Sequence, residues 1–304
     1  MNLFRFCMVL SSTLIIACGG DNLPDGSLNG PTAGDDAGAT AEVVPEFTPR
    51  ELAVPSAGIC PELTTPGKYF LTSNGVERNT YIFFPNDRPE DMPLIFAWHP
   101  LGFSAEALNG WLNLEAMAER LGAVIVVPNL RSGAQTWGFY GDATYDLTLF
   151  DDLRTCLSDS LNIDLYRVST TGMSAGGLWS TYLSIERSDA LATAFIMSGG
   201  TGPGMSYKPL DHKLPVLLAW GGPNDTYNTG SFTIYFEDTT LDFATNLLDD
   251  DHDVLLCDHG LGHLMPAEVI PMMEVWLLNH TLGKPSSFFP EPFGLPDYCA
   301  IGTP

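Results

Sequence analysis

Basic residues are scarce in this chain. Only 13 of its 304 residues are Lys or Arg, against 37 Asp or Glu, a formal net charge of −24. A surface of that sign repels nucleic acid and anionic lipid headgroups, so neither is expected as a partner. Long apolar runs are also missing. The longest, Cys7 to Ile16, is too short to span a bilayer comfortably. There are six cysteines and no Cys-x-x-Cys, which argues against zinc-ribbon and thioredoxin chemistry. Internal repeats are absent. No acidic motif suggests a calcium cage, and no cofactor or metal is expected.

What the chain does have begins with an export signal. Arg5 precedes the apolar run, which ends Ile15-Ile16-Ala17-Cys18-Gly19. This resembles a bacterial lipobox, so residues 1–17 read as a lipoprotein signal peptide. Cys18 is then the lipidated residue, and acyl chains there would anchor the protein without a transmembrane helix. A plain signal peptide cleaved near Ala17 is the alternative. Gly19, rather than Asp, suggests by the same resemblance an outer-membrane destination in a bacterial cell envelope, with secretion to the outside as the other outcome. Residues 18–49 are rich in Gly, Asp, Ala, Thr and Pro and read as a flexible acidic tether. Cys60, Cys156, Cys257 and Cys299 remain for an oxidising compartment. Two disulfides are plausible, with three connectivities open.

Hydrophobic residues make up 45% of the sequence, enough for a sizeable core. Residues 50–285 alternate apolar strand-like runs with helical spacing. A strand around Tyr81 to Phe84 ends at Pro85. Leu94–Trp98 and Val124–Val127 read as strands buried on both faces. Between them Ser104 looks like an N-cap, and Leu108, Trp111, Leu112 and Met117 share a helical face that Gly122 ends. A helix is expected from Leu147 to Ser160, then strands at Val168–Thr171, Ala194–Met197, Pro215–Trp220 and Val254–Cys257. Helices are expected at Phe243–Leu248 and Ala267–Leu278. This alternation predicts an α/β fold with a mostly parallel central sheet, helices on both faces, and ligand sites at the carboxyl ends of its strands. Residues 286–304 read as a proline-rich tail packed on that domain.

One stretch organises the rest. Gly172-Met173-Ser174-Ala175-Gly176 lies between a β-branched run and a helical run, the context of a strand–tight turn–helix nucleophile elbow. A serine needs a base, and the base needs a group to orient it. Asp225 follows the Val216–Trp220 strand directly, 51 residues after Ser174 and 38 before His263. Asp238, Asp242 and the run Asp249–Asp251 are weaker acids for the role, fitting a helix dipole or a solvated face. Of the six histidines, His259 and His263 follow the last strand. His263 is preferred because Gly262 lets a tight loop present its ring, with His259 left to support the loop or contact substrate. The spacing His259-x-x-x-His263 also resembles a zinc pair, but it sits in a glycine-rich loop rather than on a helix. His99 is expected to shape the oxyanion loop and to lie near substrate. His212 and His252 are expected to be solvated, and His280 to be a cation at a helix end. The two oxyanion donors expected are the backbone N–H groups of Ala175 and Leu101, since Pro100 has none. Trp137, Phe139 and Tyr140 sit in a loop that could line the pocket.

With these residues in place the chain resembles the α/β-hydrolase superfamily. Within it, the chain is most similar to secreted esterases of the polyhydroxybutyrate depolymerase and feruloyl-esterase type, carbohydrate esterase family 1. The resemblance rests on Arg78-x-x-Tyr81, Asp164-x-x-Arg167-Val168 before the elbow, and Gly221-Gly222-Pro223-x-Asp225. Its most distinctive element is Cys257-x-His259-x-x-Gly262-His263-x-x-Pro266. It implies a serine esterase with Ser174, Asp225 and His263, acting on a polyester, feruloyl or acetyl ester. The chain departs from the family in having His99-Pro100 where His-Gly is usual. The alternatives are an inactive hydrolase-fold surface lipoprotein that binds a carbohydrate or protein partner, and a serine peptidase.

Overall fold

The computed structural model describes residues 47–291 and 294–303. The expected signal segment, Cys18 and the tether up to residue 46 lie outside the described residues. Among those residues no helix is long and apolar enough to cross a membrane.

A nine-stranded sheet is the centre of the fold. Its strands are β1 (Gly67–Ser73), β2 (Val76–Phe83), β3 (Met92–Trp98), β4 (Val124–Pro128), β5 (Ile163–Met173), β6 (Thr193–Met197), β7 (Val216–Trp220), β10 (Val254–Asp258) and β11 (Cys299–Ile301). They run in the order β1-β2-β4-β3-β5-β6-β7-β10-β11. The six from β4 to β10 are parallel, and antiparallel pairs flank them at both edges. The continuous apolar runs follow from this arrangement, because parallel strands are covered on both faces. In β3, Leu94, Phe96 and Trp98 enter one core with Trp179 and Phe243, while Ile95 and Ala97 enter the other with Met117 and Trp276. Helices α3 (Thr144–Ser160), α4 (Ala175–Glu186) and α5 (Phe236–Asp249) cover the first face. Helices α1 (Ala105–Leu112), α2 (Leu114–Leu121) and α6 (Val269–Leu278) cover the second.

Several expected elements change on folding. The single helix after Ser104 is two. Ser104 does cap the first, accepting from the Ala107 N–H. Asn113 then adopts a left-handed conformation (φ 52°, ψ 51°) and its N–H closes on Asn109 O, so the axis breaks there before Gly122 ends the second helix. Helix α5 starts at Phe236, seven residues earlier than its apolar spacing indicates. Strand β1 was not expected. It pairs with β2 through Asn74-Gly75, both at positive φ, the turn that matches strand twist in a two-residue hairpin.

The histidine expectations also change. His252 is buried and its Nδ1 accepts the Leu214 N–H; His212 is half-buried and its Nε2 faces the carbonyls of Ser188 and Leu191. Neither is a solvated loop residue. His280 is not a cation at the end of α6. It is buried between Trp276 and Phe288, with Nδ1 on Trp276 O and Nε2 on Ser286 Oγ, and burial pushes its pKa down to about 4.

Two disulfides close the fold, Cys60–Cys156 and Cys257–Cys299. The first ties the segment before β1 to α3, where Arg154 also holds the carbonyls of Arg50 and Glu51. The second joins β10 to β11, so the end of the tail is a sheet strand rather than only a strap.

Candidate active site

Parallel strands deliver the candidate residues to one edge of the sheet. Leu101 follows β3, Tyr140 follows β4, Ser174 follows β5, Ser198 follows β6, Asp225 follows β7 and His263 follows β10. This is the carboxyl end of the sheet, where helix N-termini and loops converge.

Ser174 occupies a backbone conformation that L-residues rarely adopt, φ 57° and ψ −121°. Such strain costs about 1–3 kcal/mol and persists only where the surroundings over-determine it. Here the surroundings are backbone. A Cβ at Gly172 would sit 2.3 Å from Gly176 O, and one at Gly176 would sit 1.9 Å from Trp98 O. Without those two side chains, α4 starts directly against β3 and β5. The Ser174 N–H donates to Met197 O at 3.0 Å, which fixes the turn to β6.

The structure brings Ser174, His263 and Asp225 together. His263 Nε2 is 3.0 Å from Ser174 Oγ, and His263 Nδ1 is 2.6 Å from Asp225 Oδ1. Both ring nitrogens are therefore engaged. The Nδ1 proton is held by the carboxylate, which leaves Nε2 to accept the serine proton. Asp225 is fully buried. Its Oδ2 accepts from the Gly221 N–H at 2.9 Å and from Ser198 Oγ at 2.8 Å. Phe236 stacks on the His263 ring, 4.7 Å between centroids and 9° between planes, and fixes its orientation. The histidine loop is tied to the acid loop by the Gly262 N–H on Gly221 O at 2.9 Å. Asp238 lies in the first turn of α5, and Asp249, Asp250 and Asp251 are exposed at its far end.

Leu101 and Ala175 both border the space in front of Ser174. Ala175 is the first residue of α4, where backbone N–H groups have no partner within the helix. The loop carrying Leu101 is braced from below. Trp137 Nε1 donates to His99 O at 3.0 Å, and His99 Nδ1 donates to Pro100 O at 2.9 Å.

Two cavities meet at the serine, of about 440 Å³ and about 350 Å³. Tyr140 and Phe139 border the larger one, as the loop reading expects. His99 and Trp137 border neither. Each is 1% exposed, and their rings pack together 4.9 Å apart beneath the loop. Their expected place near substrate is corrected to a supporting one, and burial holds the His99 pKa below its ordinary value. His259 also stays outside both cavities. Its Nδ1 accepts the Leu261 N–H and its ring meets the edge of Tyr298. Among the described residues, no three His, Cys, Asp or Glu side chains converge to hold a metal ion.

The sequence reading missed a hairpin at this site. Strands β8 (Thr226–Asn228) and β9 (Thr233–Tyr235) follow Asp225 immediately and return to α5, whose Phe236 N–H donates to Asp225 O at 2.9 Å. Tyr227, Phe232 and Ile234 from the hairpin wall the larger cavity. A signal is present: Gly230-Ser231 lies between Thr226-Tyr227-Asn228-Thr229 and Phe232-Thr233-Ile234-Tyr235, two short runs rich in threonine and tyrosine or other apolar residues.

Comparison with known proteins adds to this geometry. No family model matches the chain. A 162-residue segment is 29% identical to feruloyl esterase D of Neurospora crassa, covering 48% of this chain and 54% of that protein. A 159-residue segment is 23% identical to the bifunctional acetylxylan esterase/xylanase XynS20E of Neocallimastix patriciarum, covering 52% of this chain and 23% of that protein. The matches thus span about half of the first relative and about a quarter of the second. Among solved structures, native pOPH superposes with a TM-score of 0.66 at 15% identity, over 81% of this chain and 97% of that one. The S-formylglutathione hydrolase FrmB of Staphylococcus aureus gives 0.53 at 15% identity, over 70% and 97%. The chain has the α/β-hydrolase fold. Ser174, Asp225 and His263 follow one another in the serine–acid–histidine order common to that fold, with Asp225 one strand of the main sheet before His263.

Proposed function

We propose that this α/β-hydrolase is a serine carboxylic-ester hydrolase that works through an acyl-enzyme. The observation that carries the reading is the unbroken chain from Ser174 Oγ through His263 to Asp225, at 3.0 and 2.6 Å. Ser174 Oγ attacks the ester carbonyl while His263 Nε2 takes its proton. The carbonyl oxygen becomes an oxyanion facing the N–H groups of Leu101 and Ala175. Collapse breaks the bond to the alcohol oxygen, which receives the proton from His263. Water then attacks the acyl-enzyme with His263 again as base, releasing the acid and free Ser174. Asp225 keeps the imidazole in the productive tautomer and stabilises the imidazolium. The esterases among the similar proteins support this reaction class, with polyhydroxyalkanoate, feruloyl or acetyl esters as the candidate substrates.

The test is hydrolysis of p-nitrophenyl butyrate together with fluorophosphonate labelling. The parent protein should turn over the ester and label at Ser174, and Ser174→Ala should do neither. An alanine variant as fast as its parent would sink the reading. A folded parent that neither hydrolyses nor labels would favour the inactive binding lipoprotein.

We also propose that residues 50–285 form the catalytic domain of an exported lipoprotein, tethered by residues 18–49 to acyl chains on Cys18. The lipobox-like Ile16-Ala17-Cys18-Gly19 and the acidic, lysine- and arginine-free spacer behind it support this. Cys18→Ser should release the protein from the membrane fraction of an expressing bacterium. Retention of the variant there would count against the anchor.

A further inference from the structure

Two cavities meet at Ser174, and His263 borders only the smaller of them. Resting on the ester-hydrolase reading above, we propose that the larger cavity takes the acyl group and the smaller one the leaving alcohol. We propose further that the substrate is an uncharged ester with apolar groups on both sides of the carbonyl.

The assignment follows from proton transfer. The leaving oxygen must lie within reach of the group that protonates it. His263 borders the smaller cavity and not the larger. The alcohol therefore departs on the side of Phe103, Trp111, Leu264 and Met265. The acyl group stays behind on Ser174, on the side bordered by Ala175, Phe139, Phe232 and Ile234. Tyr227 borders both cavities and stands between the two halves. The β8–β9 hairpin therefore sets acyl specificity, and the Phe103–Trp111 pair, 5.6 Å between ring centroids, sets alcohol specificity.

The chemistry of the walls gives the substrate class. Among the described residues no Asp, Glu, Lys or Arg borders either cavity, and His263 is the only titratable nitrogen side chain there. A charged group entering either side would lose water without gaining a counter-charge. A chain of net charge −24 disfavours an anionic substrate further. On the alcohol side Phe103, Trp111, Leu264 and Met265 offer mostly apolar contact area, with the Trp111 indole N–H and the Tyr227 hydroxyl as the polar side-chain groups beyond Ser174 and His263. A polyhydroxylated alcohol would find few side-chain partners for its hydroxyls there, whereas an alkyl or aryl alcohol needs none. The acyl cavity, about 440 Å³, holds far more than an acetyl group.

Two substrate series on the full-length protein separate the halves. In one, the alcohol is p-nitrophenol and the acyl group runs from acetate to hexanoate. In the other, the acyl group is butyrate and the alcohol is ethanol or 2-naphthol. Phe232 and Trp111 are 40% and 41% exposed, so truncating either leaves the core intact. Phe232→Ala should lower the hexanoate-to-acetate ratio of kcat/KM roughly tenfold, and Trp111→Ala should leave that ratio within about twofold. Trp111→Ala should lower the naphthyl-to-ethyl ratio by a similar factor. p-Nitrophenyl hemisuccinate should be cleaved at least about a hundredfold more slowly than the butyrate. Swapped responses, neither ratio moving, or a hemisuccinate cleaved as fast as butyrate would overturn the assignment while leaving the esterase reading standing. Absence of both ester turnover and Ser174 labelling would overturn the two together.

Discussion

Ser198 Oγ donates a 2.8 Å hydrogen bond to Asp225 Oδ2, the carboxylate oxygen that His263 does not use. Ser198 is buried just past the end of β6, at a positive φ of 42°. We expect it to position the acid. In Ser198→Ala the Gly221 N–H still holds Oδ2, and only one donor is lost. A buried hydrogen bond to a charged group is worth about 1.5–3 kcal/mol. The expected result is a fall in kcat of about tenfold with KM unchanged. A kcat within about twofold of the parent would show that Gly221 suffices.

Gly176 tests the elbow through backbone geometry rather than chemistry. Its missing Cβ would lie 1.9 Å from Trp98 O and 3.0 Å from His99 O, both main-chain atoms that cannot swing aside. Gly176→Ala should push α4 away from β3, displacing Ala175 and the loop of Leu101 together. Thermal unfolding should show a loss of more than about 3 kcal/mol or no folded protein. Gly110→Ala is the control, since nothing lies within 4 Å of its added Cβ. Equal melting temperatures for the two variants would contradict this account.

The Ser174–His263–Asp225 constellation is more legible in the sequence than the walls around it. Asp225 and His263 each follow a strongly apolar strand, Ser174 follows a β-branched one that ends in a glycine turn, and a parallel sheet sends all such loops to one edge. Order along the chain was therefore enough to bring them together. The hairpin after Asp225 was not read, because its strands are only three residues long and half-exposed, too short for an apolar run. The break at Asn113 was hidden because apolar spacing continues across it, and only the left-handed backbone reveals it. His99 and Trp137 sit in loops at the carboxyl edge of the sheet, which by position alone puts them near substrate. Sequence position gives the loop but not the side of it a ring packs on, and both rings pack inward. Ser198 carries no motif, and its role depends on β6 lying beside β7.

The Cys60–Cys156 bridge closes a 96-residue separation, and Cys257–Cys299 one of 42. Cross-links of this span typically stabilise by about 2–4 kcal/mol, chiefly through the unfolded chain. The two should differ in what else they affect. Cys299→Ser frees β11 from β10, the strand that runs into the His259–His263 loop. We expect it to lower both melting temperature and kcat. Cys60→Ser frees a segment packed on α3, and it should lower the melting temperature with kcat retained. Loss of activity confined to Cys60→Ser would reverse the argument.

Five of the six histidines, His99, His212, His252, His259 and His280, have pKa values below the ordinary one, in each case first because burial disfavours the charged ring. In the unfolded chain they titrate near 6.5. Below that pH the unfolded state binds protons that the native state does not. The slope of stability with pH is then positive, and stability is lost as pH falls. For His280, lowered to about 4, the window runs from about 6.5 down to about 4. That depression alone corresponds to about 3 kcal/mol across the window. Unfolding by denaturant should therefore show a midpoint that is flat above pH 7 and falls steadily to pH 4. In His280→Gln, which keeps a polar side chain between Trp276 O and Ser286 Oγ, stability at pH 7 should drop while the slope between pH 6.5 and 4 becomes shallower. An unchanged slope in the variant would mean that His280 is not excluded from protonation in the folded state.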